Sequence, residues 1–128
     1  MGLTRHTLEI TDAVFTGGRL FKMTNQVVGS TLTAMLNVSS FTGGIAPAVT
    51  LRMFYLGDDG ERLGNKMNGG TGEVTAAGLH TLIFGPNGTA SGVGDDKNTG
   101  ALPRNFQLEL LSPGDQDSAD LTLDVVIS

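Results

Sequence analysis

Two histidines, three acidic clusters and a few glycine-rich turns are the places in this chain where residue types suggest chemistry. His6 and His80 are its only histidines. A general base or a metal pair would need them close together, with a carboxylate to orient the ring. His6 stands near the start of the chain, and His80 lies between Leu79 and Thr81 in a strand-like stretch. Two surface or edge histidines are therefore expected, and no catalytic residue is assigned. Carboxylates gather at Asp58, Asp59 and Glu61, at Asp95 and Asp96 beside Asn98, and at Asp115, Asp117 and Asp120. Calcium takes about six to eight oxygen ligands, which clustered loop carboxylates can supply. None of the three clusters has the spacing of a known calcium loop, D-x-[DN]-x-[DN]-G with a distant Glu. Asp and Asn favour such positions because their side chains hydrogen-bond the turning backbone. Turn chemistry is the expectation and no metal site is assigned; calcium, if bound, would sit best at Asp95 and Asp96.

Other signatures of reaction chemistry are missing. Gly69-Gly70-Thr71-Gly72 opens no helix and leads to no Lys-Ser/Thr pair, so it is not a phosphate cradle. No G-x-S-x-G elbow occurs. Asn37-Val38-Ser39 and Asn87-Gly88-Thr89 match the glycosylation sequon, but the first falls within a strand pattern. A sugar-binding face presents a row of aromatics, whereas this chain has no Trp and a single Tyr, Tyr55, which its alternation places in the core. The expectation is a protein that is not an enzyme, with no cofactor and no small-molecule substrate.

The elements that would position any site read as strands. Leu121, Leu123, Val125 and Ile127 alternate with Thr122, Asp124, Val126 and Ser128. Successive side chains of a strand point to opposite faces, so this segment has one apolar and one mostly polar face. Thr7–Thr11 alternates, and Arg19–Val28 is a less regular extended stretch. In Thr31–Phe41, Leu32, Ala34, Leu36 and Val38 oppose Thr33, Met35, Asn37 and Ser39. Val49, Leu51, Met53 and Tyr55 oppose Thr50, Arg52, Phe54 and Leu56. Gly57-Asp58-Asp59-Gly60 signals a hairpin, because Asp-Gly tolerates the positive φ of tight turns. Glu61–Lys66 is its short return strand, and Asn68–Gly72 a flexible loop. Leu79–Phe84 is short and apolar, Gly85–Gly100 is loose, and Phe106, Leu108 and Leu110 alternate with Asn105, Gln107 and Glu109. No stretch carries a 3.6-residue period, so little helix is expected. The fold class is all-β, an antiparallel β-sandwich of Ig-like or jelly-roll type with seven to eight short strands. A charge at Leu51, Leu108 or Leu123 should prevent folding, whereas Arg52 and Glu109, on the opposite faces, should tolerate change.

Bulk properties narrow the partners. A chain of 128 residues is expected to be one domain, residues 1–128. Its formal net charge is −5 with no basic stripe, so nucleic acid is not an expected partner. It has no cysteine, which removes disulfides and thiolate metal sites. No apolar run approaches the ~20 residues of a membrane helix, and Met1–His6 does not resemble the apolar core of a signal peptide. Synthesis and folding in a cytoplasm are expected. Charged residues make up only 16%, below the ~25% of typical soluble domains. Such a surface suits a protein packed against neighbours. The apolar residues on outward faces, Phe54, Leu56, Leu111, Met35 and Val126, are the candidate interface.

A family resemblance runs through about residues 46 to 128. It rests on Ala48–Leu56 followed by the Asp-Gly hairpin, then Val74-Thr75-Ala76-Ala77-Gly78-Leu79-His80-Thr81-Leu82. Ala101-Leu102-Pro103-Arg104-Asn105-Phe106-Gln107-Leu108-Glu109 and Ala119-Asp120-Leu121-Thr122-Leu123-Asp124-Val125 complete it. This order resembles the small all-β structural proteins of tailed bacteriophage heads and tails, in which "T-A-A-G" leads into a strand and "L-P-R" introduces the penultimate one. Gly85–Gly100 is longer than that pattern. The resemblance carries no catalytic residues. It implies a virion component, and most specifically a capsid decoration (cement) protein on the outside of the major capsid lattice. Its partners would be the major capsid protein and copies of itself. The competing readings are a tail-tube, tail-terminator or fibre-base module, and a carbohydrate- or calcium-binding adhesion module.

Overall fold

The alternating segments pair into two antiparallel sheets in the computed structural model, which describes residues 4–10, 19–24, 31–86, 88–90 and 102–127. In chain order the strands are β1 (Thr4–Ile10), β2 (Arg19–Thr24), β3 (Leu32–Thr42), β4 (Thr50–Leu56), β5 (Arg62–Gly70), β6 (Gly78–Phe84), β7 (Thr89–Ala90), β8 (Asn105–Leu111) and β9 (Ser118–Ile127). One sheet runs β1-β9-β3-β6-β7 and the other β2-β8-β4-β5. With the two-residue β7 set aside, each sheet has four strands, and the chain crosses between sheets in the order of a jelly roll. An immunoglobulin-like order would place the first two strands side by side in one sheet. Here β1 and β2 lie in different sheets, so of the two expected sandwich types the jelly roll is the one formed. The described residues hold nine strands against the seven to eight expected. The extra one, β7, falls in the Gly85–Gly100 stretch, most of which, with Asp95, Asp96 and Asn98, lies outside the described residues.

Period-two patterning explains the core. Leu32, Ala34, Leu36 and Val38 of β3, Leu121, Leu123 and Val125 of β9, and Leu82 and Phe84 of β6 face Leu51 and Met53 of β4 and Phe106, Leu108 and Leu110 of β8. Leu51, Leu108 and Leu123 are fully buried, as their alternation requires. The β3–β9 register carries an irregularity between Val38 and Ser40. An extra residue at a bulge flips the facing of the strand beyond it, and Phe41, past the irregularity, packs partly against the core.

Two expectations need correction. Tyr55 has inward parity but is exposed, because it stands at the rim of the sandwich one residue before the end of β4. Asn68–Gly72 is not a loop: β5 extends to Gly70, and pairing with β4 then continues through Thr71 and Val74. Thr71 N–H donates to the Leu51 carbonyl (2.9 Å), Leu51 N–H donates to Thr71 Oγ1 (2.8 Å), and Val49 and Val74 exchange both backbone bonds (3.1 and 2.8 Å). Gly70 is required at this crossing. It has φ +125°, and a Cβ there would stand 2.5 Å from the Leu51 carbonyl oxygen.

Candidate functional site

The five candidate interface residues divide between opposite faces of the sandwich. Phe54, Leu56 and Leu111 belong to the outer side of the β2-β8-β4-β5 sheet, and Met35 and Val126 to the outer side of the other. Phe54 and Leu56 are nevertheless buried. The hairpin closes through Gly57 and Gly60, with Asp59 accepting the Glu61 N–H (3.0 Å), and delivers Arg62 opposite Leu56. From there the guanidinium lies 3.7 Å from the centre of the Phe54 ring. Its Nε donates to Gln107 Oε1 (2.7 Å) and a terminal nitrogen donates to Glu109 Oε2 (2.6 Å). Gln107 and Glu109 are 3% and 7% exposed. The outward parity read for Glu109 is right, but its expected tolerance is not supported: it is a buried, paired carboxylate. Leu111 is half-buried, opposite Thr50.

On the opposite sheet, Thr33 pairs with both Ile83 and Val126, and Met35 with both Thr81 and Asp124. All six side chains are half-buried. Of these six only Asp124 is charged, and Met35 and Val126 remain the candidate contacts of this face.

A third feature joins two connections, β3–β4 and β8–β9, at one end of the sandwich. Asp115 accepts hydrogen bonds from Ile45 N–H (3.0 Å) and Ala46 N–H (2.7 Å). These backbone donors, Ile45 first and then Ala46, hold the Asp115 carboxyl below its ordinary range. The adjacent Gln116 is buried and acts as a strand-like partner for Ala48, accepting from its N–H and donating to its carbonyl (3.0 Å each). Its amide nitrogen also donates to Ser112 Oγ (2.7 Å). Two of the three acidic clusters thus contain turn-holding carboxylates, Asp59 and Asp115, as turn chemistry predicts. Among the described residues no group of three or more His, Asp or Glu is placed to hold a metal ion.

His80 is half-buried on β6 opposite Leu36, and His6 lies on β1 opposite Val125, with its side chain outside the described residues. Among the described residues, one open cleft lies between the β4–β5 hairpin and β2, beside Lys22 and Asp58, and another beside Val74, Ala77 and His80. The second also has Glu73 in its lining. Sequence reasoning missed Arg62, Gln107, Thr71 and Gln116. For Arg62 a signal existed, since the hairpin fixes its register opposite Leu56.

No protein-family model matches the chain, and no curated protein matches it. Solved structures do. The chain is similar to the protein in the 2.6 Å structure of infectious bursal virus-derived T=1 particles, at 15% identity and a TM-score of 0.47. It is similar to the D431N mutant VP2 protein of infectious bursal disease virus at 11% identity and a TM-score of 0.44. For the structure of the Gx strain of that virus the values are 12% and 0.37. These matches cover 97–98% of this chain and 31–33% of those proteins, so the chain spans about a third of their length.

Proposed function

We propose that this chain is a non-enzymatic structural protein of a virion, and most specifically a capsid decoration protein. It would seat on the outside of the major capsid lattice, partnered by the major capsid protein and by copies of itself, after synthesis in the host cytoplasm. The observation that carries this reading is the use made of the polar groups. Arg62, Gln107 and Glu109 hold each other across three strands, and Thr71, Asp115 and Gln116 hold backbone. These six side chains serve stiffness. A jelly roll locked at one end and across one face is suited to carrying load between neighbours, and it loses little conformational entropy on docking. The resemblance to bacteriophage structural proteins along residues 46–128 supports the same reading, while the jelly roll alone would also suit lectins and cupins.

Reinforcement by such a module is additive. Each copy contributes modest buried area, and tethering through one contact raises the effective concentration of the next. Binding that favours the expanded shell stabilises that shell by linkage. The test is co-sedimentation of the purified protein with emptied, expanded capsids, together with a mass-spectrometric copy count per virion. Hundreds of copies on the shell are expected. Recovery only in tail fractions, at a handful of copies, would replace the decoration reading with a tail-module one.

A further inference from the structure

Four strands stand at sheet edges, and they are not alike. β7 has two residues, and β5 meets β4 through two register slips. β1 and β2 instead pair with their inner neighbours without a slip, over seven and six residues. Among the described residues no strand pairs with the other side of either. A regular edge offers a row of backbone donors and acceptors to an extended strand. The two regular edges differ in charge. β2, Arg19-Leu20-Phe21-Lys22-Met23-Thr24, carries two cations and no carboxylate, a composition that guards an edge against its own kind. β1, Thr4-Arg5-His6-Thr7-Leu8-Glu9-Ile10, carries one arginine and one glutamate, set symmetrically about its midpoint, Thr7.

That symmetry makes β1 complementary to itself. Arg5, Thr7 and Glu9 hold register positions opposite Val126, Asp124 and Thr122, the outer-face positions of β9. Two copies of β1 paired antiparallel about a twofold axis at Thr7 give all seven residues a partner, and outer-face positions meet outer-face positions. Arg5 of each copy then stands opposite Glu9 of the other, and Thr7 opposite Thr7. Opposite charges and paired threonines directly across a strand pair are favourable. Sliding one strand by two residues, the smallest slip that keeps the faces matched, shortens the ladder and parts Arg5 from Glu9. The longest ladder and the charge pairing therefore select one register.

We propose that β1 of one copy pairs with β1 of a second copy of this chain, edge to edge about a twofold axis at Thr7. Two five-stranded sheets thereby become one. The interface is isologous, so it closes at two copies. A single strand ladder covers less than the ~800 Å² per partner of a stable interface. The dimer is therefore weak in free solution and tightens where copies are already held close. The contact belongs to the free chain, so its failure leaves the shell-binding result untouched.

Charge exchange tests the register. Sedimentation equilibrium of the native chain is expected to show monomers and dimers. The dissociation constant should rise about tenfold or more with Arg5→Glu, and likewise with Glu9→Arg, since each sets like charges opposite one another at both pairs. An equimolar mixture of the two variants should associate as the native chain does, because every charge then meets its opposite. The double variant Arg5→Glu/Glu9→Arg should do the same. It restores the pairing within one chain, so it reads the contact even where a single change disturbs the monomer. Lys22→Glu, on the guarded edge, should leave the dissociation constant unchanged. Three results would overturn the proposal: a native chain that stays monomeric up to about 1 mM, single variants that associate as the native chain does, or a mixture and a double variant no tighter than the single variants.

Discussion

Replacing Arg62 with alanine should destabilise the protein well beyond the loss of an ordinary surface ion pair. Three interactions disappear together: the 2.7 Å bond to Gln107, the 2.6 Å bond to Glu109 and the 3.7 Å approach to the Phe54 ring. Stripping the partner from a buried charge costs about 3–5 kcal/mol. That figure is an upper bound here, because the Arg62 side chain is 36% exposed and water can reach Glu109 once it is gone. Discounting by about half for solvent screening leaves roughly 2 kcal/mol, and the ring contact adds about 0.5 kcal/mol. For a chain of this length the sum corresponds to a melting-temperature drop of roughly 8–12 °C. Equilibrium urea unfolding gives the free energy directly, and a double-mutant cycle with Glu109→Gln isolates the pair. Coupling of about 1 kcal/mol or more is expected. A total loss below about 0.5 kcal/mol with negligible coupling, as for exposed pairs, would refute the argument that Glu109 is held as a buried charge.

The core, the crossings and the clamp each carry a further expectation. Leu51→Asp, Leu108→Asp and Leu123→Asp, at fully buried positions, should each yield no soluble folded protein, whereas Arg52→Ala, at an exposed position, should change stability by less than about 0.5 kcal/mol; circular dichroism of the soluble fraction decides. Gly70→Ala should cost about 2 kcal/mol or more in urea unfolding, from the positive φ and the approach to Leu51. Gln116→Ala, which strands both backbone groups of Ala48, should cost about 2–3 kcal/mol by the same measurement. Asp115 has its folded pKa lowered from an ordinary value of 3.8, so its stabilisation is fully present above that value and is lost as pH falls through the lower folded value. Acid unfolding curves of Asp115→Asn should therefore lack that part of the pH dependence, while the two curves run parallel near neutrality.

The sandwich was legible where alternation is strict, whereas the choice between its two types came only with the strand order. Leu32–Val38 and Leu121–Ile127 show period two without interruption, and both strands pack as their parity dictates. The face of Glu109 was legible too, but its environment was not. A polar residue on an outward face reads as solvated unless its partner is known, and Arg62 lies 47 positions away. Gln116 meets Ala48 across 68 positions, a separation that local pattern does not encode. Tyr55 shows the converse: its parity points inward, but the end of a strand can outrun the sheet that should cover it.

The β4–β5 register slips twice, so that Arg52, Phe54 and Leu56 meet Gly70, Lys66 and Arg62, and five residues of one strand face nine of the other. β5 is also the outermost strand of its sheet. A foreign strand arriving there finds donors and acceptors out of step with a straight ladder. The sheet is thereby kept finite: however many copies are crowded together, this border resists fusing them into an endless ribbon, and growth is left to contacts that can be counted and closed.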